Sequence, residues 1–125
     1  MKFEKYNPNP TGKNVGDCTV RALSKALEKS WEEIYTELCV YGMMLGDMPS
    51  ANAVWGTYLK SKGFSRHIIP GSCPDCYTVA DFADEHPCGT YILALSGHVV
   101  CIQDGTIFDS WNSGGEIPLY YWDKE

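Results

Sequence analysis

Apolar residues return every three or four positions from Cys18 to Leu27, where Cys18, Ala22, Leu23, Ala26 and Leu27 fall on one side of a helix. That stripe predicts a first helix with Cys18 at its inward-facing N-terminal end. The same spacing recurs in Trp31, Ile34, Tyr35, Leu38 and Cys39, behind a Ser30 and Glu33 with the spacing of a capping box. This second helix is expected to end near Gly42, and Met43 to Pro49 reads as an apolar breaker loop. Ser50 is the expected cap of a third helix carrying Val54, Trp55, Tyr58 and Leu59 and closed by Gly63. Phe64 to Ile69 predicts a short strand, Ser72 to Cys76 a turn, and Thr78 the cap of a short helix that runs to about His86 before Pro87. From Thr90 the period changes to two, predicting strands at Tyr91 to Leu95, His98 to Gln103, Thr106 to Asp109 and Ile117 to Trp122.

Helices first and a strand meander afterwards make an α+β domain, N-terminal helices packed on a C-terminal antiparallel sheet. Residues 1–13 contain Pro8, Pro10 and Gly12, which exclude helix and predict an extended arm. No internal repeat or linker interrupts the 125 residues, so 1–125 reads as a single domain.

Composition narrows the functional classes. A net charge of −6, with no run of Lys or Arg, argues against a phosphate backbone as partner. No stretch has membrane-spanning length and the first residues lack a signal-peptide apolar run, so a cytoplasmic chain is expected. In that compartment the six cysteines read as reduced thiols, with Cys39 and Cys101 inside apolar patterns as core residues.

Two stretches carry chemistry. In Asn14-Val15-Gly16-Asp17-Cys18, Gly16 allows a tight turn, Asp17 is a good N-cap, and Cys18 becomes the first helical residue. The positive end of the helix there favours a thiolate, the form a nucleophile needs. The bland alternative is a small buried residue after an ordinary cap. The second stretch, Ser96-Gly97-His98 through Trp111-Asn112, reads as a hairpin around Asp104-Gly105. With those two residues as the loop, Gln103 pairs with Thr106, Ile102 with Ile107, Cys101 with Phe108 and Val100 with Asp109. Asp109 then sits diagonal to His98 on one face, within reach of its imidazole, while Asn112 points the other way. A bulge would reverse that preference between Asp109 and Asn112. Cys18 as nucleophile, His98 as acid and base, and Asp109 as orienter make the outline of a thiol hydrolase. The Cys18 amide and the Asn14 side chain are the nearest oxyanion donors, although Asn14 equally reads as an Asx-turn residue. No cofactor is called for, and the expected partner is a peptide or protein substrate.

The Gly-Asp-Cys-x-x-Arg-Ala-Leu helix start, the Gly-His-Val-Val strand, and the Asp-Gly hairpin leading to Asp-Ser-Trp together resemble papain-like (C39-like) cysteine peptidases. The likeness is to small uncharacterised bacterial and phage members and covers roughly residues 11 to 115, with Cys, His and Asp in the family's order. It implies a papain-like fold and hydrolysis of an amide or thioester. The larger family usually places a Gln six residues before the nucleophile as oxyanion donor, and here that position is Gly12. An acyltransferase using the same trio would look alike at this level.

Two other classes compete. The fold could serve as a non-catalytic module holding a peptide in the groove between the first helix and the sheet. Cys73-Pro74-Asp75-Cys76, with His86 and Cys88, could instead supply four zinc ligands, although no second C-x-x-C strengthens that reading. Trp111 is placed either over the His98–Asp109 bond or in the hairpin core, and Arg21 either pairs with an acid or is solvated.

Overall fold

The computed structural model describes residues 1–69 and 76–124. Its elements are β1 (Lys2–Lys5), α1 (Cys18–Leu27), α2 (Trp31–Leu45), α3 (Asn52–Ser61), β2 (Phe64–Ile68), α4 (Val79–Glu85), β3 (Thr90–Leu95), β4 (His98–Gln103), β5 (Thr106–Asp109) and β6 (Pro118–Lys124). The expected turn at Ser72 to Cys76 and most of the C-x-x-C lie outside the described residues.

The architecture is α+β, and the six described strands run in the order β1-β5-β4-β3-β6-β2. The sheet is mixed, where an antiparallel one was expected. The difference comes from the N-terminal arm, whose Lys2–Lys5 pairs parallel with β5 from Lys2 against Thr106 to Lys5 against Asp109. That pairing covers backbone groups of β5 that an open edge would leave exposed.

Alternation along the central strands builds a core on each side of the sheet. Ile92, Ala94, Val99 and Cys101 pack with Leu23 of α1, Ile34 and Leu38 of α2, and Trp55 and Tyr58 of α3. Their neighbours Leu93, Val100 and Ile102 pack with Val79 and Phe82 of α4 on the opposite side. The Asp104-Gly105 loop has φ of 50° and 77°, as a type I′ turn requires. It sets the expected register of Gln103 with Thr106, Ile102 with Ile107 and Cys101 with Phe108. The β4–β5 ladder stops there, one step before the expected Val100–Asp109 pair.

Several helix ends differ from expectation for local reasons. The Ser30–Glu33 capping box forms, but α2 runs through Gly42 and ends at Gly46, whose φ of 70° suits only the left-handed cap. Gly42 has a packing role: a Cβ there would lie 2.7 Å from the Asp47 carbonyl oxygen, where the chain folds back on the helix. The N-cap of α3 is Ala51, and Ser50 does not cap it. Thr78 and Asp81 form the capping box of α4. No helix among the described residues is long and apolar enough to cross a membrane.

Candidate active site

Cys18 opens α1, as its position after Gly16-Asp17 predicts. Asp17 occupies the N-cap position, but its side chain does not cap. Its Oδ1 accepts from Arg21 at 2.7 Å and its Oδ2 from the Trp31 indole at 2.9 Å. Two stronger, charge-assisted or buried partners have displaced the expected bond to the first-turn amides, which Asp17 therefore leaves available beside Cys18.

His98, at the start of β4, and Asp109, at the end of β5, meet as the hairpin register predicts. His98 Nε2 lies 2.6 Å from Asp109 Oδ2, so the proton between them belongs to Nε2 when Asp109 is ionised. Asp109 is 0 % exposed, and its carboxylate is fully engaged. Ser113 Oγ donates to Oδ2 at 2.7 Å, the Ser110 amide donates to Oδ1 at 2.8 Å, and the buried Arg21 guanidinium stands 3.1 Å from Oδ1. Arg21 thus ties Asp17 to Asp109 beneath the thiol. A carboxylate held this way cannot swing away from the imidazole without leaving charge unpaired in the interior.

The other face of the ring meets Cys18. With Nε2 occupied by Asp109, Nδ1 is the nitrogen left for the sulfur, and the two side chains line the same cavity. Burial disfavours a Cys18 thiolate, but bonds from His98 and the Val99 amide, with the charges of His98 and Arg21, outweigh it and hold the thiol below its usual range. Burial likewise opposes a charged His98, and the bonds to Asp109 and Cys18 overcome it and raise the imidazole to about 9. Burial would push the Asp109 carboxyl up, and its bonds to His98 and Ser113 carry it the other way, below the carboxylate range. The three shifts favour one arrangement, a thiolate beside an imidazolium backed by a carboxylate. By contrast Cys101, fully buried in the core as expected, is pushed up to about 12 by burial.

The thiol opens into a cavity of about 290 Å³ whose lining includes Gly16, Cys18, Ser50, Asn52, Gly97 and His98. Asn14 is exposed and does not line it. The side-chain amide that does is Asn52, at the first position of α3. Its Oδ1 accepts from the Trp55 indole at 3.1 Å, which assigns that oxygen to Trp55 and leaves Nδ2 as the donor end of the amide. Trp111 is half exposed and tilts against the His98 ring, with centroids 5.2 Å apart. Asn112 is exposed, and its Oδ1 accepts from the Gly114 amide, so its polar end is spent on the local turn.

Among the described residues Cys39, Cys88 and Cys101 do not gather around a common point. Cys76 is disulfide-bonded, a departure from the reduced thiol expected there, while Cys73 lies outside the described residues. Cys88 is exposed, and His86 Nδ1 lies 2.7 Å from the Phe82 carbonyl with its ring stacked on Phe82. Among the described residues no group of three or more His, Cys, Asp or Glu is arranged around a common point for a metal.

The residues that sequence reasoning underrated are Asp17, Arg21, Trp31, Ser113 and Asn52. One signal was present: Asp17 and Arg21 are four apart and Cys18 and Arg21 three apart, which puts an ion pair beside Cys18. Nothing local marks Ser113 or Asn52, which reach the site through tertiary packing. Comparison with protein-family models, with curated proteins and with solved structures finds no match.

Proposed function

We propose that the chain is a cysteine hydrolase of papain-like type, cleaving a peptide or isopeptide amide with Cys18, His98 and Asp109. The observation that carries this reading is the imidazole of His98 bonded through Nε2 to a wholly buried carboxylate while the ring lines the same cavity as the Cys18 thiol. A purely structural cysteine needs neither partner.

In this scheme the Cys18 sulfur attacks the substrate carbonyl carbon and a C–S bond forms. The oxyanion takes hydrogen bonds from the Cys18 amide at the helix start and from Asn52, which replaces Asn14 as the side-chain donor. The C–N bond then breaks, and the imidazolium proton moves from Nδ1 of His98 to the departing amine. Water, deprotonated by the now neutral His98, hydrolyses the thioester and restores the thiolate–imidazolium pair. Asp109 keeps the Nε2 proton in place throughout and stabilises the positive ring. Arg21 and Ser113 hold Asp109.

An activated acyl ester tests the scheme. Mass spectrometry should find the acyl group on Cys18, with the adduct decaying as water attacks, and no adduct in His98→Ala. Equal acylation of Cys39 and Cys88 would contradict the proposal.

A further inference from the structure

The β4–β5 hairpin brings Asp109 to His98 but does not hold its backbone. The ladder between the two strands ends at Cys101 and Phe108, one residue short of it. On the other side of β5 the pairing with β1 continues to the end: Lys5 stands opposite Asp109, and the Tyr6 amide donates to the Asp109 carbonyl at 2.8 Å. The Tyr6 ring packs edge-on against Phe108 with centroids 6.2 Å apart. The Lys25 ammonium of α1 lies over both rings, 5.5 Å from the centroid of Tyr6 and 4.1 Å from that of Phe108. From Tyr6 the chain leads directly to the thiol. The arm of residues 7–13 is closed on itself, with the Asn7 side-chain amide donating to the Lys13 carbonyl and Asn9 Oδ1 accepting from the Thr11 amide, and Cys18 follows five residues later. One covalent stretch is thus pinned at one end to the carboxylate's strand and delivers the sulfur at the other.

Resting on the proposed hydrolysis, we infer that Tyr6 is a positioning residue for that reaction, its backbone amide and ring fixing the end of β5 so that Asp109 stays within hydrogen-bond reach of His98. The side-chain bonds of Asp109 do not replace this hold. Ser110 and Ser113 lie within four residues of Asp109 and orient its carboxylate on its own turn, while Arg21, at 3.1 Å, is shared with Asp17. An aspartate side chain has only two torsions, so the carboxylate follows its Cα. A backbone shift of about 1 Å would open the 2.6 Å contact with His98 beyond hydrogen-bond range.

Matched proline substitutions at the two ends of β1 test the assignment on the whole chain. Tyr6→Pro removes the amide that meets Asp109, whereas Lys2→Pro removes the same kind of bond, from the Lys2 amide to the Gly105 carbonyl at 3.4 Å, at the far end of the strand. In folded Tyr6→Pro the His98 ring, followed by nitrogen-15 NMR, should titrate about 1 unit or more lower, and alkylation of Cys18 by iodoacetamide near pH 6 should slow about 10-fold. Lys2→Pro should leave both unchanged even where it lowers the urea midpoint. Tyr6→Gly, a milder change that keeps the N–H but frees the backbone and takes the ring off Phe108, should produce part of the same fall. An unchanged His98 titration and Cys18 rate in either Tyr6 variant would overturn the assignment. Equal falls in Lys2→Pro and Tyr6→Pro would overturn it too, making β1 a general support of the fold. Each of those results leaves the hydrolase reading intact, whereas wild-type Cys18 reacting no faster than Cys88 would overturn that reading itself.

Discussion

Asp109→Asn removes the buried carboxylate charge that touches His98. The carboxylate now accepts from His98, Ser113 and Ser110 and is paired with the Arg21 guanidinium. An asparagine has one oxygen, so its NH2 must face either His98 and Ser113 or Ser110 and Arg21, and donors then oppose donors. In the wild type, burial opposes the imidazolium, and Asp109 is the largest of the contributions that overcome it and carry His98 from 6.5 to about 9. That displacement corresponds to about 3 kcal/mol in favour of the charged ring, shared between Asp109 and Cys18. The sign is that of a raised histidine: the ion pair persists as pH rises until His98 releases its proton near 9. In the variant the ring should titrate well below that, toward the ordinary histidine range. Breaking the buried Arg21–Asp109 pair should also cost about 3 to 5 kcal/mol. A chain of this length typically has roughly 6 to 19 kcal/mol in hand, so a folded variant is expected. The assay is a nitrogen-15 NMR titration of the His98 ring, distinguished from His67 and His86 by a His98→Gln control. A His98 titration unchanged in folded Asp109→Asn would refute the idea that this carboxylate governs the imidazole.

Arg21→Met leaves Asp17 and Asp109 buried without their shared cation and should lower stability by about 3 to 5 kcal/mol, read as a fall in urea midpoint at unchanged slope. A loss under about 1 kcal/mol would contradict the network. Asn52→Ala should reduce kcat for an activated ester by about 100- to 1,000-fold with little change in KM, as expected for a lost oxyanion donor. An effect confined to KM would assign Asn52 to binding instead. Gly42→Ala puts a Cβ 2.7 Å from the Asp47 carbonyl and should cost about 1 to 3 kcal/mol in thermal or urea unfolding without altering Cys18 reactivity.

Much of the site is legible in the sequence because its parts are set by local chemistry. Asp104-Gly105 dictates a two-residue turn, the turn dictates the register, and the register brings Asp109 beside His98. The apolar stripe of α1 places Cys18 at its start and inward. What local rules miss is competition for the same side chain. Asp17 has the profile of a cap, yet a buried guanidinium and an indole offer it better partners than an exposed amide does. Gly42 has the profile of a helix stop, yet the close return of Asp47 explains it without ending the helix. The parallel pairing of β1 is invisible for a different reason: Lys2–Lys5 is short and charged, and its partner lies more than a hundred residues away.

The account stands on Cys18 being a thiolate at a pH where other thiols are protonated. Pulse alkylation of the native chain near pH 6, with peptide mapping of Cys18, Cys39, Cys88 and Cys101, measures this directly. An unperturbed small-molecule thiol is less than about 1 % ionised there, so the ion pair predicts that Cys18 reacts about 100-fold faster than such a reference thiol and well ahead of exposed Cys88, a lead that His98→Ala should abolish. Cys18 labelling at the pace of Cys88 would contradict it.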